Sequence, residues 1–340
     1  MGFGSRRRFI GGSLSAFATA ATADVLADAP PNQRMSGEFA PVHDPSIIRQ
    51  DDWYYVFSTN IGRETGGFIP CRRSRDLATW EKCGFVFDAI PAWARDAVSG
   101  AKGIWAPDIS KVGDRYLLYY AVSTFGSNQS VIGLATNTTL DRGAPGFQWV
   151  DQGLVVRSRL HDRFNAIDPN LAVDRDGQYW LSWGSFWDGI KMARIDPATG
   201  KRPEGDSKLH SLAWRPVAHG GASAIEAPFI TTRGDFYYLF VSFDLCCRGV
   251  DSTYFVVCGR SHDITGPYVD VNGHALMAGG GSIVIQGNER FKGTGHCAVL
   301  RDGHRDFLVY HAYDAANAGV ATLRISPIYW TPDGWPRAQL

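Results

Sequence analysis

A unit of about sixty residues recurs five times along this chain, and that period constrains the fold more than any single motif. Its clearest copy is FNAIDPNLAVDRDGQYWLSWGS at 164–185: a carboxylate before proline, a short apolar run, a polar turn and an aromatic run. Asp176-Gly177 between two apolar runs is a hairpin signal, because glycine takes the positive φ of a tight turn. Proline beside the acid interrupts regular pairing and marks a strand start or edge. The same start recurs at His43-Asp44-Pro45, Trp105-Ala106-Pro107-Asp108 and Ile225-Glu226-Ala227-Pro228, and the prolines at 45, 107, 169 and 228 are 62, 62 and 59 residues apart. A fifth copy, Gly295-His296, lacks the proline.

Turn residues and an aromatic β-type run follow each start, at 53–57, 116–120, 179–183, 236–240 and 306–310, and third-strand runs follow at 131–135 and 254–258. Five copies with room for four short strands each describe an all-β, five-bladed β-propeller in one domain. A single blade cannot bury both its faces, whereas a ring of stacked blades does. A β-sandwich, the alternative fold, leaves the recurrence of acids unexplained.

Composition narrows the partners. Lys plus Arg and Asp plus Glu total 34 each, so net charge is zero, which argues against nucleic acid or an anionic membrane held by bulk charge. A neutral polymer suits this surface better. Ser5-Arg6-Arg7-Arg8-Phe9-Ile10 resembles a twin-arginine export pattern and precedes a small, apolar stretch too short to span a membrane. Residues 1–29 are therefore expected to be a removed signal and 30–340 the mature domain, exported to the periplasm or the medium. Six cysteines are too few for a disulfide scaffold, and no CxxC or Cys/His zinc spacing is present, although an even count permits pairing in an exported protein. Adjacent Cys246 and Cys247 read as two small strand residues in preference to a strained vicinal disulfide.

In a propeller the innermost strands line the axis, so Asp44, Asp108, Asp168, Glu226 and His296 are expected to converge on one mouth of the channel. Clustered, buried carboxylates resist shared ionisation, which separates an acid from a base. Asp108, one residue after its proline, best suits a structural role, and His296 reads equally as a ligand or a buried histidine. No G-x-S-x-G elbow, H-E-x-x-H, P-loop or G-x-G-x-x-G is present, and Gly279-Gly280-Gly281 reads as a turn.

Assembled, these blocks resemble the arabinanases of glycoside hydrolase family 43 from about residue 43 to 336. The landmarks are HDPSII (43–48), WAPDIS (105–110), STFGSNQSVIGLATN (123–137), FNAIDPNL (164–171), GSFWDGIK (184–191), AIEAPFI (224–230), CCRGVDSTY (246–254), GTGHCAVL (293–300), YHAYD (310–314) and DGWP (333–336). The resemblance implies endo-hydrolysis of α-1,5-linked L-arabinan with inversion. It assigns Asp44 as general base, Glu226 as general acid and Asp168 as the carboxylate that orients Glu226 and holds its pKa up. It places His296 beside a calcium or similar ion in the channel, bound directly or through water. Trp105, Phe125 and Phe186 are candidate sugar platforms or plain blade packing, and Asn170 and Ser185 candidate partners of substrate or of a neighbouring acid. Thr294 stands where the resemblance implies proline. A chain ending soon after the fifth repeat favours an open groove over the pocket of an exo-acting α-L-arabinofuranosidase or β-xylosidase of this fold. Retention of Asp44, Asp168 and Glu226 argues against a sugar-binding propeller without catalysis, and a monomer is expected.

Overall fold

The computed structural model describes residues 1–2, 29–60, 66–216 and 224–340, so the expected export signal lies almost wholly outside the described residues. Five blade sheets follow one another around a ring, and a sixth, two-stranded sheet pairs Tyr329–Trp330 with Pro336–Arg337. Blade one holds β1 (Ser36–Gly37), β2 (His43–Gln50), β3 (Trp53–Thr59), β4 (Phe68–Ser74) and β5 (Thr79–Phe87), with β1 parallel on the outer edge of β5. After a short helix, α1 (Ala92–Ala97), blade two comprises β6 (Trp105–Val112), β7 (Arg115–Val122), β8 (Ser130–Asn137) and β9 (Val150–Ser158). Blade three is β10 (Asn170–Val173), β11 (Tyr179–Trp183), β12 (Ile190–Ile195) and β13 (His210–Ala213). Blade four is β14 (Ile225–Arg233), β15 (Phe236–Phe243), β16 (Phe255–Ser261) and β17 (Ser282–Ile285).

Blade five has three strands instead of the expected four: β18 (Phe291–Asp302), β19 (Arg305–Asp314) and β20 (Val320–Pro327). The free edge of β20 is taken by the segment leading into blade one, with Val42 N–H donating to Ala321 and Leu323 N–H to Phe39. This backbone lacing closes the ring.

The aromatic runs make sense in this frame. Side chains alternate along a strand, and both faces of each blade are covered by neighbours. Tyr116, Leu118 and Tyr120 of β7 therefore pack toward blade one with Tyr55 and Phe57, while Leu117 and Tyr119 pack toward blade three with Leu181 and Trp183. Tyr238 and Phe240 meet Leu308 and Tyr310 in the next seam but one, and Val309 with Leu323 meets Tyr54 and Val56 to complete the circle. Each such ring contributes roughly 1.5–3 kcal/mol by leaving water.

The turn signals hold as well. The hairpins after the inner strands take positive φ at Asp51 (55°), Gly113 (61°), Gly234 (54°) and Gly303 (61°). Cys71 and Cys83 form a disulfide between neighbouring strands of blade one. Cys246 and Cys247 are not strand residues as expected: they are free and lie in the loop that follows β15, because β15 ends at Phe243.

Candidate active site

Four of the five inner strands break their pairing at a bulge, and in blade three the equivalent residue lies just before the strand; the residue at this point is left-handed each time: Asp44 (φ 51°), Ala106 (44°), Asp168 (57°), Ala227 (56°) and His296 (51°). Bulges re-aim side chains, and positive φ at a non-glycine residue is strained, a combination common at functional sites. This corrects the single register read from the sequence. Asp44, Asp168 and His296 are equivalent, whereas Glu226 comes one residue before its bulge and Asp108 two residues after.

The offset decides roles. The residue two after the bulge accepts a backbone N–H from the following blade: Ser46 from Ile109 (3.0 Å), Asp108 from Leu171 (2.9 Å) and Asn170 from Ile230 (2.8 Å). Asn170 also donates to Asp108 at 3.1 Å. Asp108 and Asn170 are thus buried struts between blades, and the Asn170 amide is engaged at both ends, which leaves it the neighbouring-acid partner instead of a sugar contact. Burial raises the Asp108 carboxyl to about 6, against the pull of Leu171 N–H and Asn170.

A second set of ties fixes the bulges themselves. Ala106 N–H donates to Thr59 (2.7 Å), Ala227 N–H to Asp168 (3.1 Å), His296 N–H to Ser242 (2.9 Å) and Asp44 N–H to His311 Nδ1 (3.1 Å). The strained backbone is held from the preceding blade each time.

Asp44 sits in a nest of imidazoles. Its Oδ1 lies 2.8 Å from His43 Nδ1, 3.1 Å from His296 Nδ1 and 3.6 Å from His311 Nδ1, while Oδ2 accepts from Thr59 at 2.7 Å. Burial alone would raise Asp44, but the charges of His43 and His296 hold it well below the usual carboxylate range. Burial opposes charge on those histidines too, yet Asp44 overcomes it, raising His43 to about 10 and, with Asp168, His296 to about 9. His311 stays neutral through burial, and its ring stacks on His43 with centroids 3.8 Å apart.

Glu226, on blade four, is set the other way. Burial raises it, and the hydrogen bond from Ser185, with the Tyr254 side chain nearby, only partly offsets this. The Ser185 hydroxyl donates to Oε2 at 2.7 Å. Gly295 is required beside it, since a Cβ there would come within 2.0 Å of the Tyr254 ring. Asp168 is raised well above normal, by burial first and then by Glu226 and Asp44, against His296. The ring therefore sets its carboxyls apart, with Asp44 lowered and the buried Asp168 and Glu226 raised, which is the kind of separation acid–base chemistry needs.

The residues fit a known group. The family model for glycosyl hydrolases family 43 matches residues 40–336. The chain belongs to glycosyl hydrolase family 43. Over 87% of its length it is 42% identical to an extracellular endo-α-(1→5)-L-arabinanase of Bacillus subtilis, with 87% of that protein covered. Over 87% it is 41% identical to an extracellular exo-α-(1→5)-L-arabinofuranosidase of Cellvibrio japonicus, with 86% covered. Among solved structures, an endo-arabinanase from Bacillus licheniformis superposes with a TM-score of 0.81 at 46% identity, covering 89% of this chain and 99% of the other.

The aromatic candidates divide. Phe125 is 80% exposed, and its ring centroid lies 5.0 Å from that of half-buried Trp105, so the two present one open apolar surface. Phe186 is half-buried at φ 55°, and its exposed neighbour Trp187 (φ 37°) is a further aromatic that the sequence reading passed over. His43, Thr59, Tyr254, His311 and Tyr313 were also passed over. Four of them lie inside the landmark blocks, so the signal was present, but nothing in the spacing pointed to their meeting at Asp44 and Glu226.

Proposed function

We propose that this family 43 glycoside hydrolase cleaves α-1,5-linked L-arabinan internally, with inversion, outside the cell that makes it. The observation that carries the reading is the contrast between Asp44, set among the rings of His43, His296 and His311 on blade one, and Glu226, buried on blade four with the Ser185 hydroxyl on its Oε2. Asp44 takes a proton from water as the water attacks the anomeric carbon. His43 and His296 keep it ionised beforehand, and Thr59 fixes its plane. Glu226, aimed by Ser185, gives its proton to the leaving oxygen. An inverting pair stands roughly 6.5–9.5 Å apart so that the water fits between, and acids on separate blades can supply such a gap. Asp168 orients the segment carrying Glu226 through its bond to Ala227 N–H. Trp105, Phe125 and Phe186 are platforms for the polymer. Support for the substrate comes from the named activities of the relatives, and support for export from their description as extracellular. The chain acts as a monomer, with residues 1–29 as a twin-arginine-type signal.

An ion near His296 is part of the same proposal. Calcium seeks six to eight oxygens. Around His296 the Asp44 and Asp108 oxygens are already engaged and the His296 ring is paired with Asp44, so the donors present fit a largely hydrated ion linked to His296 through water and not a protein cage. When bound, it supplies positive charge that keeps Asp44 ionised. The deciding experiment follows product lengths from linear arabinan with and without a chelator. Oligosaccharides of several lengths are expected early, and monosaccharide or a single short product from the outset would sink the internal-cleavage reading.

A further inference from the structure

We propose that His43, Cys246 and Cys247 form a binding site for one soft divalent cation, of the zinc and cadmium class, at the edge of the catalytic pocket. One ligand atom from each of these three residues lies within 4.8 Å of the other two. Both cysteines are free; Cys247 is exposed and Cys246 half-buried, so a cation reaches them from the mouth. Two thiolates and an imidazole are the donor set that selects this class, and hard calcium, which takes oxygen ligands, is poorly served by it.

The site is also braced as metal sites are. His43 Nδ1 faces the Asp44 carboxylate at 2.8 Å, which fixes the ring and aims Nε2 at Cys247 Sγ, 3.8 Å away. A carboxylate behind a ligating histidine is the usual outer partner of such a ligand. Stacking on His311 removes the remaining freedom of the ring. On the other side Cys247 N–H donates to the Tyr313 hydroxyl at 2.7 Å, and Leu245 and Thr253 pair their backbones at 3.0 Å across the base of the loop. On binding, two thiol protons and the His43 Nε2 proton pass to solvent. The cation replaces the 2.7 Å contact of Nε2 with Tyr313, and its open fourth position faces the pocket. Because Asp44 and the cation share His43, occupation halts hydrolysis.

The test titrates the full chain, with its Cys71–Cys83 disulfide intact, with cadmium and follows the ultraviolet sulfur-to-cadmium charge-transfer band, which needs no substrate and so stands apart from the arabinan reading. One equivalent is expected, with Cys246 and Cys247 protected from alkylation as mapped by mass spectrometry. Cys247→Ser and Cys246→Ser should each weaken binding by more than about 100-fold, since even outer partners of a metal site are worth 10–100-fold. The protection map on the unmodified chain guards against variants that fold poorly. No band, protection only at Cys258 or Cys297, unchanged affinity in Cys247→Ser, or displacement by equimolar calcium would overturn the site. Cadmium binding without loss of arabinan hydrolysis would overturn the coupling through His43.

Discussion

Ser185, in the loop after β11, donates a 2.7 Å hydrogen bond to Glu226 on the neighbouring blade. The same two residues form an isolated backbone bridge, so the acid is aimed by a pairing that crosses the seam. This bond partly offsets the burial that raises Glu226.

Glu226→Ala removes the proposed proton donor. Turnover on arabinan should fall about 10²–10⁴-fold, the usual worth of general acid catalysis, with binding of arabino-oligosaccharides largely kept. An aryl arabinofuranoside, whose leaving group needs little protonation, should lose far less. Equal losses on both substrates would refute the acid role.

Turnover requires Glu226 protonated, so it should decline as pH rises through the raised pKa of that group. Ser185→Ala removes a bond that holds this pKa down, and the alkaline limb of the kcat profile should move to higher pH. A shift to lower pH would contradict the assigned cause.

Asn170→Ala leaves the Asp108 carboxyl and Ile230 N–H short of a partner. An orphaned buried group costs about 1–3 kcal/mol, so denaturant unfolding should show a loss of that size. The folded fraction should keep its activity; a selective rise in KM at unchanged stability would return Asn170 to substrate contact.

Phe125→Ala should raise KM for long arabino-oligosaccharides by up to about tenfold, near 1.4 kcal/mol, and leave the shortest substrates unaffected. A fall in melting temperature without a change in KM would make the Phe125–Trp105 pair mere packing.

The period of about sixty residues, the turn glycines and the aromatic strands were legible because each states a local backbone need that repeats in every blade. The family blocks likewise named Asp44, Asp168, Glu226 and His296 before any geometry was known. Register within the ring was not legible: Glu226 and Asp108 sit one before and two after the bulge, and that offset separates an acid facing the pocket from a strut facing a seam. Nor did chain spacing show that His43 lies against Cys247, 204 residues away, or that His311 receives the Asp44 N–H from 267 residues further along. Sequence by itself determined how each blade is built, since turns, bulges and strands answer to their immediate neighbours. Only closure of the ring decided which side chains of distant blades meet, and their mutual burial and charge lower Asp44 and raise Glu226, the contrast on which the proposed base and acid roles rest.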